Sequence, residues 1–427
     1  MIEKYYDGAI EQVAAGLGTV EKNHLLVRYS GQFSVENLND TKQLEKNEDI
    51  FVQVHEFETG EITCAYEPYL TMICDGFRRY MTGTFEEFME TCDVYYLHRP
   101  VLLGYFNQDN TGREEIILLD EVAYEQERML AALERMLCAI ADRHPVLFVL
   151  NRFQLASKST MQLTARFLKC ENCNIGLVLG VSDIQAMPEF LVPDWEMLYE
   201  TLDDGSKIYH IGNSGRKKEE TIDDEKYVDY GSEKVYRKLQ NMVEFLDFDQ
   251  AAYYLETIER KIKFDNLLVD DAARFRMWLL FVKVSILRQD IPKSLEICED
   301  LEKIHLAGKE EECAYEQDYL IATAYMYQGK LKEALEMAGE TYRIAGKMSD
   351  DYRMFLSELL EAKIQMSGWY NIFFCAQDVK IKESLIQNLI RYNYRNHLAH
   401  VYIYAYDNKP EIVKKANQSE ELLIYFS

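Results

Sequence analysis

His144-Pro-Val-Leu-Phe-Val-Leu-Asn151-Arg-Phe-Gln-Leu-Ala156-Ser-Lys-Ser159-Thr-Met-Gln-Leu163 is the stretch on which the fold reading turns. Val146–Leu150 is apolar at every position, the pattern of a strand covered on both faces. Thr160–Leu168 follows with helical spacing, and Ile175–Val181 is a second fully apolar run. Buried strands alternating with helices call for a parallel sheet between helical layers. Working outward, Leu25–Tyr29, Ile50–Val54 and Lys207–Ile211 read as further strands. Ser34–Lys46, Pro68–Thr82 and Val122–Asp142 read as helices, the last with Met129, Leu133, Met136 and Ile140 on one face. Residues 1–214 are therefore expected to form a three-layer α/β domain.

Residues 215–229 are polar and charge-dense, with Gly215-Arg-Lys-Lys-Glu-Glu and then Asp223-Asp-Glu, and read as an exposed linker. Residues 230–427 change character: glycine and proline are scarce and apolar residues recur at three and four, which predicts an all-α region. Within it, Ala322-Thr-Ala-Tyr325-Met-Tyr-Gln-Gly329-Lys-Leu-Lys-Glu-Ala334 places small residues where two antiparallel helices would approach and glycine where the chain would turn. Weaker versions of the frame recur, with anchors at 252, 294, 334, 373 and 412, spaced 42, 40, 39 and 39 residues apart. Five units of about 40 residues predict a helix-hairpin solenoid. The alternative is a non-repetitive helical domain with chance spacing.

The charge is lopsided: 47 Lys+Arg against 73 Asp+Glu give −26. Residues 1–214 carry −18 of it (17 basic, 35 acidic) and residues 215–427 carry −8 (30 basic, 38 acidic). A surface this acidic repels phosphate backbones and anionic lipid, so nucleic acid and membrane are not expected partners of the bulk surface. No run approaches the ~20 apolar residues of a spanning helix, and the first residues lack the basic-then-apolar pattern of a signal peptide. The nine cysteines are scattered, and read as free thiols of a cytoplasmic protein. Cys170-Glu-Asn-Cys173 alone has metal or redox spacing; without a second pair or a histidine at zinc spacing it reads as two unrelated thiols. His397 and His400 stand three apart with no third ligand nearby, so no metal is expected.

The strand–turn–helix at 144–163 resembles the Walker B region of STAND and AAA-type ATPases, where an apolar strand ends in acidic residues. Ile175–Val181 matches the following sensor strand, and Ala65-Tyr66-Glu-Pro68-Tyr-Leu70 resembles the start of the helix after the second strand in that family. The resemblance spans roughly residues 20–214 and implies a P-loop-like fold. Its chemistry is lost from the sequence. A P-loop needs Gly-x-x-x-x-Gly-Lys-Ser/Thr, so that backbone N–H groups and a lysine hold the phosphates. The corresponding turn here reads Ser30-Gly31-Gln-Phe-Ser34-Val-Glu36, and no lysine occurs between Lys46 and Lys158. Asn151 stands where the Mg²⁺-binding acid is expected and Arg152 where a second acid often activates water. Gly31, Ser34, Asn151 and Arg152 thus outline a degenerate nucleotide pocket. Catalytic residues and cofactors are not expected. The alternative is an α/β domain unrelated to such ATPases.

Ala322, Tyr325, Gly329 and Ala334 resemble the signature of tetratricopeptide-type repeats, and the longer spacing resembles the TPR-like units in the sensor regions of large bacterial regulators. The combined expectation is a pseudo-ATPase domain followed by a TPR-like solenoid. The function expected of it is regulatory or scaffolding, through a protein or peptide partner held on the repeats, with oligomers open. A STAND-type nucleotide-binding switch is the alternative. The apolar ending Glu421-Leu-Leu-Ile-Tyr-Phe-Ser427 is expected either to pack on the last repeat or to lead into an output domain of a longer signalling regulator.

Overall fold

A computed structural model of the chain describes residues 2–17, 24–29, 49–58, 60–109, 121–170, 173–182, 187–203, 207–211, 229–265, 267–304, 306, 310–367, 383–395, 397–398 and 401. By its internal contacts the chain forms two units, Met1–Gly112 with Asp120–Arg260, and Arg113–Leu119 with Lys261–Ser427.

The first unit is built on an all-parallel sheet of β1 (Leu25–Tyr29), β2 (Phe51–Glu56), β3 (Val146–Asn151), β4 (Ile175–Ser182) and β5 (Lys207–Ile211). The spatial order is β2-β3-β4-β1-β5, so the first strand lies inside the sheet. Leu25 pairs in register with Val178 on one side and Lys207 on the other. Every side chain of β3 and β4 is buried, as the uninterrupted apolar runs require.

Helix α1 (Ile2–Gly16) covers one face, where Ala9, Ile10 and Val13 meet Val27, Leu147, Val149 and Val178. Gly176 makes this approach possible: a Cβ there would lie 2.6 Å from Val13 Cγ1. The opposite face takes α2 (Tyr69–Tyr80), α5 (Val122–Ala141), α6 (Lys158–Lys169) and α7 (Val192–Asp203). Phe148 points to this side and packs edge-on against Tyr69, with centroids 4.7 Å apart. The short helices α3 (Phe85–Thr91) and α4 (Arg99–Asn107) follow α2, and a capping box between Thr84 and Glu87 starts α3. The expected three layers are present. The segment 34–46, read as a helix, and the linker 215–229, apart from Asp229, lie outside the described residues.

Two helices past that linker, α8 (Glu233–Glu244) and α9 (Phe248–Phe264), begin the all-α part, but up to Arg260 they group with the sheet.

The described elements of the second unit are helices: α10 (Asp271–Leu287), α11 (Ile291–Leu301), α12 (Glu310–Gln328), α13 (Leu331–Met348), α14 (Asp351–Met366) and α15 (Glu383–Arg391). Consecutive helices pack against each other, and α10 with α12 and α12 with α14 also touch. Four helix-to-helix turns among the described residues share one construction. Leu246, Gln289, Gly329 and Ser349 each adopt a left-handed conformation, with φ of 65°, 63°, 81° and 56°. At each turn the next residue donates its N–H to the carbonyl four positions before the turn: Asp247 to Met242, Asp290 to Ser285, Lys330 to Tyr325 and Asp350 to Ala345. A new helix starts two residues after each turn.

Asp318 on α12 is half-buried, and burial, then the carboxylates of Glu340 and Glu302, push its carboxyl up to about 6. The folded chain holds this proton more tightly than the unfolded one, so stability is lost as pH rises from about 4 to about 6. The full displacement would amount to about 3 kcal/mol at ~1.4 kcal/mol per pH unit, which solvent screening at a half-exposed position reduces to about 1. Asp318→Asn is expected to raise stability by about that amount above pH 7 and by nothing at pH 4. Urea unfolding of both chains across this range checks the sign; an equal gain at both ends would reject the cause.

The expectation of nine free thiols does not hold. Cys138 on α5 is bonded to Cys173, two residues before β4, with Cα atoms 5.4 Å apart. The pairing spans 35 residues and arises because α5 passes beside the start of β4, which spacing along the chain does not reveal. No helix among the described residues is long and apolar enough to cross a membrane.

Candidate functional site

The carboxyl ends of parallel strands are where α/β sheets place ligands. Here β3 ends on Asn151, whose side chain is fully buried, and Arg152 turns the chain in a left-handed conformation, with φ of 53°. The backbone then makes a tight turn over Phe153–Leu155, and Ser157 caps the start of α6. Two of the four residues expected to outline a nucleotide pocket, Asn151 and Arg152, therefore lie at the sheet's carboxyl edge. Gly31 and Ser34 lie outside the described residues.

The polar groups at this edge are engaged with one another. The phenol of Tyr29, at the end of β1, donates to Asn151 Oδ1 over 2.6 Å. Burial, reinforced by the Glu56 carboxylate and opposed by Arg152, pushes that phenol up to about 12, so it stays protonated and keeps donating. Arg152 Nε lies 3.3 Å from Glu56 Oε1 at the end of β2. Gln154 clips the turn to β4, donating to the Ser182 carbonyl over 3.1 Å and accepting from its N–H over 3.3 Å. Four strand ends are thus joined by an amide–phenol pair, an ion pair and an amide clamp. A phosphate here would have to compete with Glu56 for Arg152. A divalent cation would find Glu56 already matched by a guanidinium.

A second polar cluster closes the start of α6. Ser159 N–H donates to Asp247 Oδ2 (3.0 Å) and Lys158 N–H to Gln250 Oε1 (3.3 Å). Lys158 Nζ pairs with Asp249, and its distance to Asp194 is 4.0 Å. Ser159 Oγ in turn accepts from Tyr66 N–H (3.0 Å), and Thr160 Oγ1 donates to the Glu67 carbonyl (2.9 Å). The N-terminal N–H groups of α6, which could have met an anion, are met by the turn between α8 and α9. Burial raises the Asp247 carboxyl, while its bonds from Ser159 and Gln250 hold it down. Sequence reasoning missed this cluster: the run Phe248-Asp-Gln-Ala-Ala252 carries a repeat frame, and its polar residues gave no sign of their partners.

The first unit also holds a cleft of about 470 Å³ between α2, α4 and α8, lined in part by Thr71, Arg78, Tyr105, Arg237 and Asn241. Arg78 is committed inside it, to Asp75 and to the Phe106 carbonyl. The cleft shares no lining residue with the carboxyl edge.

In the second unit, Ala322 and Ala334 are fully buried where α12 meets α13, with Leu331, Ala338, Leu360 and Ile364. Tyr325 packs against the same group, and Gly329 is the left-handed turn between the two helices. Tyr254 packs in the first unit, its hydroxyl 3.4 Å from Thr63 N. His397 is buried beside Tyr394, while His400 lies outside the described residues.

Set against known proteins, the chain matches no family model, and neither a curated protein nor a solved structure is significantly similar to it.

Proposed function

We propose that the chain is a non-catalytic regulatory or scaffolding protein with a pseudo-ATPase domain, binding a protein or peptide partner through TPR-like hairpins. The observation that carries the first half is the self-engaged carboxyl edge: Asn151 is taken by Tyr29 and Arg152 by Glu56. Phosphoryl transfer needs charges free to follow the developing transition state. A neutral amide and a closed ion pair supply none. The strand positions support the resemblance, since β1 and β3, which would carry the two Walker motifs, lie two places apart with β4 between them.

The second half rests on the turn repeated at Leu246, Gln289, Gly329 and Ser349, which folds consecutive helices into hairpins, and on the small residues Ala322 and Ala334 between α12 and α13. Helix hairpins stacked in sequence offer an extended surface for a partner.

Thermal unfolding of the full chain with ATP, ADP or GTP, each with and without Mg²⁺, tests the proposal. The expected change in Tm is below about 1 °C for every nucleotide at millimolar concentration. Binding at 100 times Kd would stabilise by about 2.7 kcal/mol, so a reproducible rise of several degrees would overturn it in favour of a nucleotide-dependent switch.

A further inference from the structure

Three sulfurs converge at the end of the sheet where β4 begins. Cys138 comes from α5, Cys170 caps the C-terminus of α6, and Cys173 stands two residues before β4. Their Sγ atoms all lie within 4.8 Å of one another, and each residue is part-exposed. Cys138 and Cys173 are bonded, which leaves Cys170 as a third thiol beside the bridge. Cys170 is anchored there by its backbone N–H, which donates to the Arg166 carbonyl over 2.9 Å.

A bridge made to hold a small fold together belongs to a framework of paired cysteines. This chain has six free cysteines among its described residues and one bridge, and that bridge has a thiol at its side. Attack of a thiolate on a disulfide sulfur is the chemistry such a triad allows. We propose that Cys138, Cys170 and Cys173 form a thiol–disulfide exchange site whose co-substrate is a low-molecular-weight thiol–disulfide couple of the glutathione type. In the internal step the Cys170 thiolate attacks Cys173 Sγ. The Cys170–Cys173 bond forms, the Cys138–Cys173 bond breaks, and Cys138 leaves as the thiolate. In the external step two glutathione thiols reduce the bridge to two protein thiols and become one glutathione disulfide. Two electrons and two protons pass to the protein, and oxidation runs the same step backwards.

Of the five other free cysteines among the described residues, Cys313 is part-exposed and the other four are held inert by burial. Burial pushes the thiols of Cys64, Cys74 and Cys298 up to about 12 and that of Cys92 to about 11, so they stay protonated and unreactive near neutrality.

The test uses the full chain, equilibrated without air against graded ratios of reduced to oxidised glutathione, then acid-quenched and alkylated. Trypsin with a Glu-specific protease, which cuts between Cys170 and Cys173 at Glu171, lets mass spectrometry name each bridge. The expected result is two bridged forms, Cys138–Cys173 and Cys170–Cys173, rising together in one two-electron transition. Cys170→Ser is expected to keep only the first and Cys138→Ser only the second, each with an unchanged circular dichroism spectrum. A Cys138–Cys173 bridge that persists at every ratio, with Cys170 always alkylated, would overturn the proposal and leave a structural bridge. So would a reduced chain that retains one zinc ion per molecule and shields all three thiols until a chelator is added. In that case the triad is a thiolate metal site.

Discussion

Replacing Glu125 by alanine is expected to lower the stability of the first unit by about 1–3 kcal/mol, the range for leaving a buried polar group without its neighbour. Glu125 on α5 is fully buried and divides its carboxylate. One oxygen lies 2.7 Å from Arg128 Nη1, and the other lies 3.2 Å from Nε2 of the equally buried His98. Removing the carboxylate affects the two partners differently. Arg128 is 41% exposed and can turn to water, whereas His98, at 0%, cannot. The cost therefore comes mainly from stranding the imidazole in an apolar site. Changing both partners to apolar groups of similar volume, His98→Phe with Glu125→Leu, is expected to recover most of the loss. Urea unfolding followed by the fluorescence of Trp195, in the same unit, measures both. A double variant no more stable than Glu125→Ala would show that the pair does more than satisfy itself.

Gly176→Val is expected to cost about 3 kcal/mol, at the upper end of overpacking effects. Its Cβ position is 2.6 Å from Val13 Cγ1, 3.2 Å from Leu17 Cδ2 and 3.3 Å from Leu147 Cδ1. Leu147 sits on the neighbouring strand and has little freedom to give way, so α1 must lift from the sheet. The milder Gly176→Ala separates this cause from β-propensity, which favours valine over glycine in a strand. Val13→Ala removes the nearest clashing atom, so Gly176→Ala and Val13→Ala together are expected to cost less than the sum of the single changes. Strict additivity of the two would sink the argument that α1 is held by this approach.

The legible part of the fold was the part whose signal is local. β3 and β4 are unbroken apolar runs, and the face of α5 repeats at three and four; these elements form within a residue or so of where they are expected. Helix α3 carried a readable start in Thr84-Phe-Glu-Glu87 that was passed over. Helix α1 was missed too, although Ala9, Ile10 and Val13 are its buried stripe. The site was legible only as positions. Asn151 and Arg152 stand out because a strand ends there. Their partners Tyr29 and Glu56 come from two other strands, 122 residues away in the case of Tyr29, and only the sheet order brings them together. The Cys138–Cys173 bond and the clasp of Asp247 on Ser159 were hidden for the same reason.

The strand order carries a consequence for how the chain is made. β1 precedes the other strands of the sheet in the chain, yet its neighbours are the last two to be made, with Leu25 beside Val178 and Lys207. At ~5–20 residues per second, the roughly 150 to 180 intervening residues take on the order of 10 to 40 s to appear. Throughout that interval the apolar side chains of α1 and β1 wait for their strands, and β2 and β3 can pair only towards its end, once Asn151 has been made. β1 is thus seated between β4 and β5 only late in synthesis, when the sheet closes around it.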